Sequence, residues 1–127
     1  MKAPERARFD ALLEAVMTRL PQELLGLLDE VAVIVEDRPS RELLDELGED
    51  ASDLLGLHTG TPFTEQGVDF TETPPTIHLF REGIVDHAGG WEAGDDAVRT
   101  EIRITLLHEI GHQFGLDEDD LERLGYD

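Results

Sequence analysis

Apolar residues recur every three or four positions in the first part of the chain. Between residues 5 and 20 they are Phe9, Leu12, Leu13, Val16 and Leu20. This spacing predicts an amphipathic helix over Glu5 to Leu20. Pro21 suits the first turn of a second, short helix that extends to Leu28.

A short apolar run follows these helices. Val31 to Val35 is rich in β-branched residues and is bounded by acids, which predicts a buried strand. Pro39 interrupts the run, and Ser40 is placed to cap a helix over Arg41 to Leu47. Gly48 then ends that helix.

The middle of the chain alternates short strands with loops. Leu54 to His58 and Thr76 to Phe80 are predicted strands, and the latter alternates apolar and polar residues. Residues 59–75, rich in Gly, Pro and Thr, are predicted to form a long loop of a length that is often functional. Residues 81–87 are predicted to form a helical turn or a short helix. Residues 89–95 are predicted to form a second loop.

A long helix is predicted over Asp96 to Phe114, ending at Gly115, and a short final helix over Asp117 to Leu124. These elements define an α+β fold in which helices pack on a small mixed sheet. Because domains usually contain about 100–200 residues, residues 1–127 are expected to be a single domain.

The composition excludes several kinds of reactive site and of binding partner. The chain has no cysteine, which excludes disulfides, thiolate nucleophiles and cysteine-rich zinc sites. Its formal charge of -20 repels phosphate backbones and anionic lipid, so neither nucleic acid nor a membrane is an expected partner. The same charge could instead attract basic substrates.

The N-terminal residues do not resemble a signal peptide, since they lack its apolar core and small-residue cleavage site. The longest apolar run, Val31 to Val35, is far shorter than the roughly 20 residues that span a bilayer. We therefore expect a cytoplasmic protein. The sequence does not define the oligomeric state, and a monomer is the default expectation.

The segment from Leu106 to Glu118 carries the candidate chemistry. His108 and His112 are four residues apart on the predicted long helix, so both imidazoles share one face, about 6 Å apart along the axis. Both can reach a single zinc ion at about 2.0–2.1 Å. Glu109 lies about 100° around the helix from His108, close enough to act as a general base.

This combination suits hydrolysis. Zinc lowers the pKa of water from about 15.7 to near 7, and a neighbouring carboxylate accepts the proton as the water attacks a carbonyl. The two histidines and Glu109 therefore predict a zinc-dependent hydrolase.

A third protein ligand is expected after the helix ends at Gly115, seven residues beyond His108. Ten residues after His108, where longer patterns of this kind place their third ligand, stands Glu118. Asp117 and Asp119 are its neighbours and could substitute for it. The third ligand is therefore predicted as Glu118, with both aspartates left open.

Four segments of the chain resemble the minimal zincins, small zincin-like metallopeptidases from bacteria. They are VAVIVEDRP near residue 31, LLGLHTGTPFTEQG near residue 54, TIHLFREGI near residue 76, and TLLHEIGHQFGLDEDDLERLGY at residues 105–126. The resemblance implies a zincin core without a substrate-binding lobe, a zinc cofactor and peptidase chemistry.

The pattern of that family, H-E-x-x-H-x-x-G-x-x-D, carries onto His108, Glu109, His112 and Gly115. Its aspartate falls at Glu118, a departure that lengthens the ligand arm by one methylene group.

Other residues are weaker candidates. Glu101 and Thr105 share the helical face of His108 and could orient the site, although such residues are more often solvated. Each of the remaining histidines, His58, His78 and His87, could touch the metal but is more often a surface or packing residue. Tyr126 could stabilise an oxyanion, although packing is the commoner role.

Two classes of function remain open. The first is a zinc metallopeptidase or related amide hydrolase acting on a peptide or protein, with an attraction for basic substrates as a further possibility. The alternative is a non-catalytic zinc-binding or interaction protein, in which zinc joins the long helix to the chain beyond Gly115.

Overall fold

The computed structural model describes residues 1–49, 53–59 and 75–123. In these ranges the helices are α1 (Ala3–Thr18), α2 (Gln22–Leu28), α3 (Arg41–Leu47), α4 (Arg81–Ala88), α5 (Asp95–Phe114) and α6 (Glu118–Arg123). The strands are β1 (Ala32–Glu36), β2 (Gly56–Thr59) and β3 (Thr76–Phe80). The predicted α+β fold is confirmed. Most of the predicted loop at 59–75, and Tyr126, lie outside the described residues.

Local capping signals define several helix ends as predicted. The Ser40 hydroxyl accepts a hydrogen bond of 3.1 Å from the backbone N–H of Leu43, so α3 begins at Arg41. At the end of α5, Gly115 adopts a left-handed conformation with φ of 68°. Glycine adopts it without the steric cost that a Cβ would add, which allows the chain to leave the helix there.

The three strands form a mixed sheet in the order β1-β3-β2. β1 runs parallel to β3, and β2 runs antiparallel to β3. This arrangement confirms the predicted mixed sheet and places β2 at an edge of the described sheet, next to α5.

The prediction that Val31 to Val35 forms a buried strand is only half right. Val33 and Val35 pack against the core, but Ala32 and Ile34 are exposed, with Ile34 42% exposed. Successive side chains of a strand point to opposite sides, and in the described ranges the core lies on the side that carries Val33 and Val35. A continuous apolar run therefore marked a strand that is partly buried on one face and exposed on the other.

Helix α5 lies at the centre of the packing. It contacts α1, α4, β2 and β3. Its buried side chains belong to the same core cluster as residues of α1, α4 and β3. On α5 they include Val98, Ile102, Leu106 and Ile110, and on the other elements Phe9, Val16, Ile84, Ile77 and Leu79. The helix that carries His108 and His112 is thus anchored by the hydrophobic core and by its contacts with β2. No helix in the described ranges is both long and apolar enough to cross a bilayer.

A cluster of charges joins α1 to the segment after β1. Asp37 accepts hydrogen bonds from Arg6 at 2.9 Å and from Arg81 at 3.0 Å, and Arg81 also donates to Asp10 at 3.0 Å. The hydrogen bond from Arg6, followed by that from Arg81, lowers the pKa of Asp37 to about 2. The Asp37 carboxylate is therefore stabilised in its charged form.

Candidate metal centre

The two histidines of the motif lie side by side on α5. The ring centroids of His108 and His112 are 4.3 Å apart, and both residues are exposed. The spacing of one helical turn thus brings both imidazoles to the same open surface, where one ion can meet both. The two imidazoles therefore lie close together and are open to solvent, as a shared metal ion requires.

Glu109 is on the buried side of the same turn of helix. The residue is only 7% exposed, and its Oε2 atom lies 3.3 Å from Nδ1 of His58 on β2. The His58 ring is also 5.2 Å from the ring of His112. The candidate base, one candidate ligand and a third histidine therefore form one cluster.

The register of β2 explains why His58 reaches this cluster. Gly56 pairs with Leu79 and His58 pairs with Ile77, and both partners on β3 are buried in the core. Paired residues project to the same face of a sheet, so His58 faces α5.

Gly56 allows β2 to approach α5 closely. A Cβ atom at this position would lie 2.9 Å from Cγ2 of Thr105 and 3.1 Å from Cγ of Glu109. Both separations are below the roughly 3.5–4.0 Å preferred by carbon atoms in contact. Only glycine fits here without a displacement of the strand or of the two helix side chains.

The involvement of His58 was not singled out from the sequence. His58 was one of three equivalent candidate histidines, and only strand pairing distinguishes it. A usable signal was present in the alternation of the strand, which puts the small Gly56 and the polar His58 on one face.

The other two histidines have different surroundings. His78 projects to the opposite face of β3, where its Nε2 atom lies 3.2 Å from the Thr59 hydroxyl. His87, at the end of α4, is hydrogen-bonded through Nδ1 to Oε2 of Glu101 at 3.0 Å. Neither ring has a described contact with His108 or His112.

A cavity of about 330 Å³ adjoins the cluster. It lies between α5 and the segment that leads into β2, and its lining is mainly apolar. The lining residues are Leu54, Leu55, Gly56, His87, Glu101, Ile104, Thr105, His108 and Glu109. The predicted grouping of Glu101 and Thr105 with His108 is therefore observed along the wall of this cavity.

The acidic segment after Gly115 folds into the start of α6. The Asp117 carboxylate accepts a hydrogen bond from the N–H of Asp120 at 2.8 Å, and the Asp120 carboxylate accepts one from the N–H of Asp117 at 3.0 Å. This reciprocal pair is a capping box. All three acidic residues, Asp117, Glu118 and Asp119, are exposed, and Asp117, one of the alternative ligands, is engaged as a helix cap.

A third ligand beside His108 and His112 is not found within residues 1–49, 53–59 and 75–123. Among the residues that the structure describes, no three His, Asp or Glu side chains are arranged to hold one metal ion. Glu118 does not complete a set with the two histidines, and its role as a ligand stays a prediction.

Two of the ligands expected for a single zinc ion are nevertheless in place, His108 and His112. Two imidazoles on an open surface, with a carboxylate beside them and no competing thiolate in the chain, are ligands that zinc accepts in hydrolytic sites.

The site thus combines an α+β core, a motif helix that contacts β2, and a carboxylate beside paired imidazoles. The family model of zincin-like metallopeptidases matches residues 28–126. The chain belongs to this family, as its sequence resemblance implied. No sequence among the curated proteins matches the chain.

Proposed function

We propose that this protein is a zinc-dependent peptidase-type hydrolase in which His108 and His112 hold the metal and Glu109 is the general base. The observation that carries the proposal is the buried Glu109 carboxylate, which His58 contacts 3.3 Å away, beside two exposed imidazoles. A peptide is the proposed substrate because the charge of -20 disfavours nucleic acid. A cytoplasmic location is part of the same proposal.

Each residue of the cluster has a defined task. When bound, zinc would supply Lewis acidity that lowers the pKa of water and polarises a carbonyl group. Glu109 accepts the proton of the attacking water on a carboxylate oxygen and later returns it to the leaving amine. The low exposure of Glu109 limits competition from bulk solvent for that carboxylate.

His58 is a positioning residue in this scheme. Its Nδ1 atom contacts only one oxygen of the carboxylate, Oε2, which restrains the orientation of the Glu109 side chain. Because misplacement of a catalytic group by about 1 Å can reduce the rate about 100-fold, this restraint matters to turnover.

The role of Glu109 is tested by Glu109→Gln, which has nearly the same shape. Turnover of a peptide library should fall about 10²- to 10⁴-fold, the contribution usual for a general base. Zinc content measured by mass spectrometry should be unchanged. Glu46→Gln, which removes an exposed acid from α3, is the control for the change in charge. Equal turnover in Glu109→Gln and the wild type would refute the role.

The role of His58 is tested by comparing His58→Asn with His58→Leu. An asparagine amide can replace the Nδ1 group, whereas leucine cannot. We expect kcat to fall substantially more in His58→Leu, with little change in KM and with zinc affinity retained in both variants. A large loss of zinc affinity in both variants would instead make His58 a ligand.

A second candidate is a non-catalytic zinc-binding protein. It is favoured by the lack of a three-ligand group among the described residues. In that case zinc should stabilise the fold while no peptide of the library is cleaved. Cleavage by the wild type that is absent in Glu109→Gln would eliminate this candidate.

A further inference from the structure

The cavity beside His108 and Glu109 extends along α5 away from the motif. Its wall runs from His108 back to Glu101, seven residues earlier, which corresponds to about 10 Å along the helix. A group that enters beside the catalytic cluster must therefore span two helical turns before it reaches Glu101.

The walls along this path are apolar. Leu54 and Leu55 form one side, and Ile104 forms the other, where it is 45% exposed. A surface of this kind favours an aliphatic chain.

The far end of the cavity carries a negative charge. The side chain of Glu101 is only 19% exposed, whereas that of its partner His87 is 63% exposed. The imidazole is the better solvated member of the pair, so a ligand can displace it more easily than it can displace Glu101. A partly buried carboxylate at the end of an apolar channel favours a cationic group.

We propose that this cavity is a specificity pocket for an arginine or lysine side chain of a peptide substrate. The aliphatic stem lies along Leu54, Leu55 and Ile104, and the cationic head replaces His87 as the partner of Glu101. The inference rests on the proposed peptidase function, since it places the substrate peptide beside Glu109. The overall charge of -20 also attracts cationic peptides to the protein.

Other side chains fit this cavity less well. A leucine or valine side chain would fill only its near end, and an aspartate or glutamate would meet Glu101 as a like charge. Lysine and arginine alone combine a long aliphatic stem with a positive end.

Cleavage preference provides the first test. The zinc-loaded wild type is incubated with a degenerate peptide library, and the products are sequenced by mass spectrometry. We expect arginine and lysine to be enriched at one position next to the cleaved bond. The enrichment should fall about tenfold or more in Glu101→Gln, because a charge-assisted hydrogen bond is lost. It should shift toward acidic residues in Glu101→Arg.

Two further variants serve as controls, one for the change in net charge and one for His87, the partner of Glu101. Glu46→Gln makes the same change in net charge on α3, outside the cavity, and should leave the enrichment unchanged. His87→Ala removes the competing partner of Glu101 and should preserve or increase the enrichment. A loss of enrichment in His87→Ala equal to that in Glu101→Gln would overturn the proposal.

A binding measurement separates this inference from the proposed hydrolysis. The zinc-loaded Glu109→Gln protein is titrated calorimetrically with an acetylated Ala-Ala-Arg-Ala-Ala amide and with the same peptide carrying citrulline, a neutral isostere, in place of arginine. We expect the arginine peptide to bind about tenfold more tightly, and the difference to disappear when Glu101→Gln is added.

The combined outcomes distinguish the two proposals. Preferential binding without cleavage by the wild type would support the pocket and refute the hydrolase. Cleavage without a preference for basic residues, or with a preference that Glu101→Gln retains, would refute the pocket and leave the hydrolase standing. If the protein showed no cleavage and no preferential binding, both proposals would be refuted.

Discussion

The close approach of β2 to α5 predicts that Gly56→Ala damages both stability and activity. The added Cβ would lie 2.9 Å from Cγ2 of Thr105, 3.1 Å from Cγ of Glu109 and 3.2 Å from the carbonyl oxygen of His78. The first contact is at least about 0.6 Å shorter than the carbon–carbon separation of roughly 3.5–4.0 Å found in packed interiors.

None of these three neighbours can move freely. Thr105 is buried, Glu109 is buried and contacts His58, and the His78 carbonyl belongs to the central strand β3. Overpacking of this kind costs about 1–3 kcal/mol. Alanine recovers about 0.4–1 kcal/mol by restricting the unfolded chain. We expect the free energy of unfolding to fall by about 1–2 kcal/mol.

Urea unfolding followed by circular dichroism measures this loss, and peptide turnover measures the accompanying displacement of Glu109. The matched control is Gly26→Ala in α2, where an added Cβ has no heavy atom within 4 Å. That variant should gain about 0.5–1 kcal/mol, because alanine has the higher helix propensity. If Gly56→Ala proved as stable as Gly26→Ala, with an unchanged slope in urea, the inferred close packing of β2 on α5 would be wrong.

Three further predictions concern other parts of the molecule. Gly83→Ala should be destabilising by about 1–3 kcal/mol in urea unfolding, because its Cβ would overlap the backbone carbonyl of Leu54; a stabilised variant would contradict this. Because Arg6 lowers the pKa of Asp37 to about 2, the stability that Asp37 contributes is complete above about pH 4 and lost toward pH 2. In Asp37→Asn the free energy of unfolding should change with pH by about 1–2 kcal/mol less over that range than in the wild type. An equally steep dependence on pH in the variant would show that the cluster of Asp37, Arg6 and Arg81 is not responsible for it. Zinc at 100 times its Kd should stabilise the fold by about 2.7 kcal/mol in thermal scans. A chelator should reverse this stabilisation, and the His112→Gln variant should lack it. Equal stabilisation of wild type and variant by zinc would show that His112 is not a ligand.

The sequence by itself determined features that depend on neighbours along the chain. The four-residue spacing of His108 and His112 requires a common helix face, because the helix repeats every 3.6 residues. Ser40 and Gly115 likewise act on backbone groups a few residues away, so the start of α3 and the end of α5 were predictable. The family followed from the resemblance of four segments, the motif among them, and is confirmed.

Only the tertiary structure decided which distant residues meet the motif. His58 is 51 residues from Glu109 along the chain, and it reaches that carboxylate because β2 pairs antiparallel with β3 in one register. A shift of one residue would have turned His58 to the other face, and no local pattern specifies the partner of a strand.

The burial of β1 and the cavity beside His108 were likewise decided by packing. Ile34 is exposed because the core in the described ranges covers only one side of its strand, which a run of apolar residues does not reveal. The cavity is lined by Leu54 and Gly56 from one segment and by Ile104 from α5, which are about 50 residues apart along the chain. Local spacing thus placed the candidate residues His108 and His112 on one helix face, and long-range packing brought His58 and the cavity beside them.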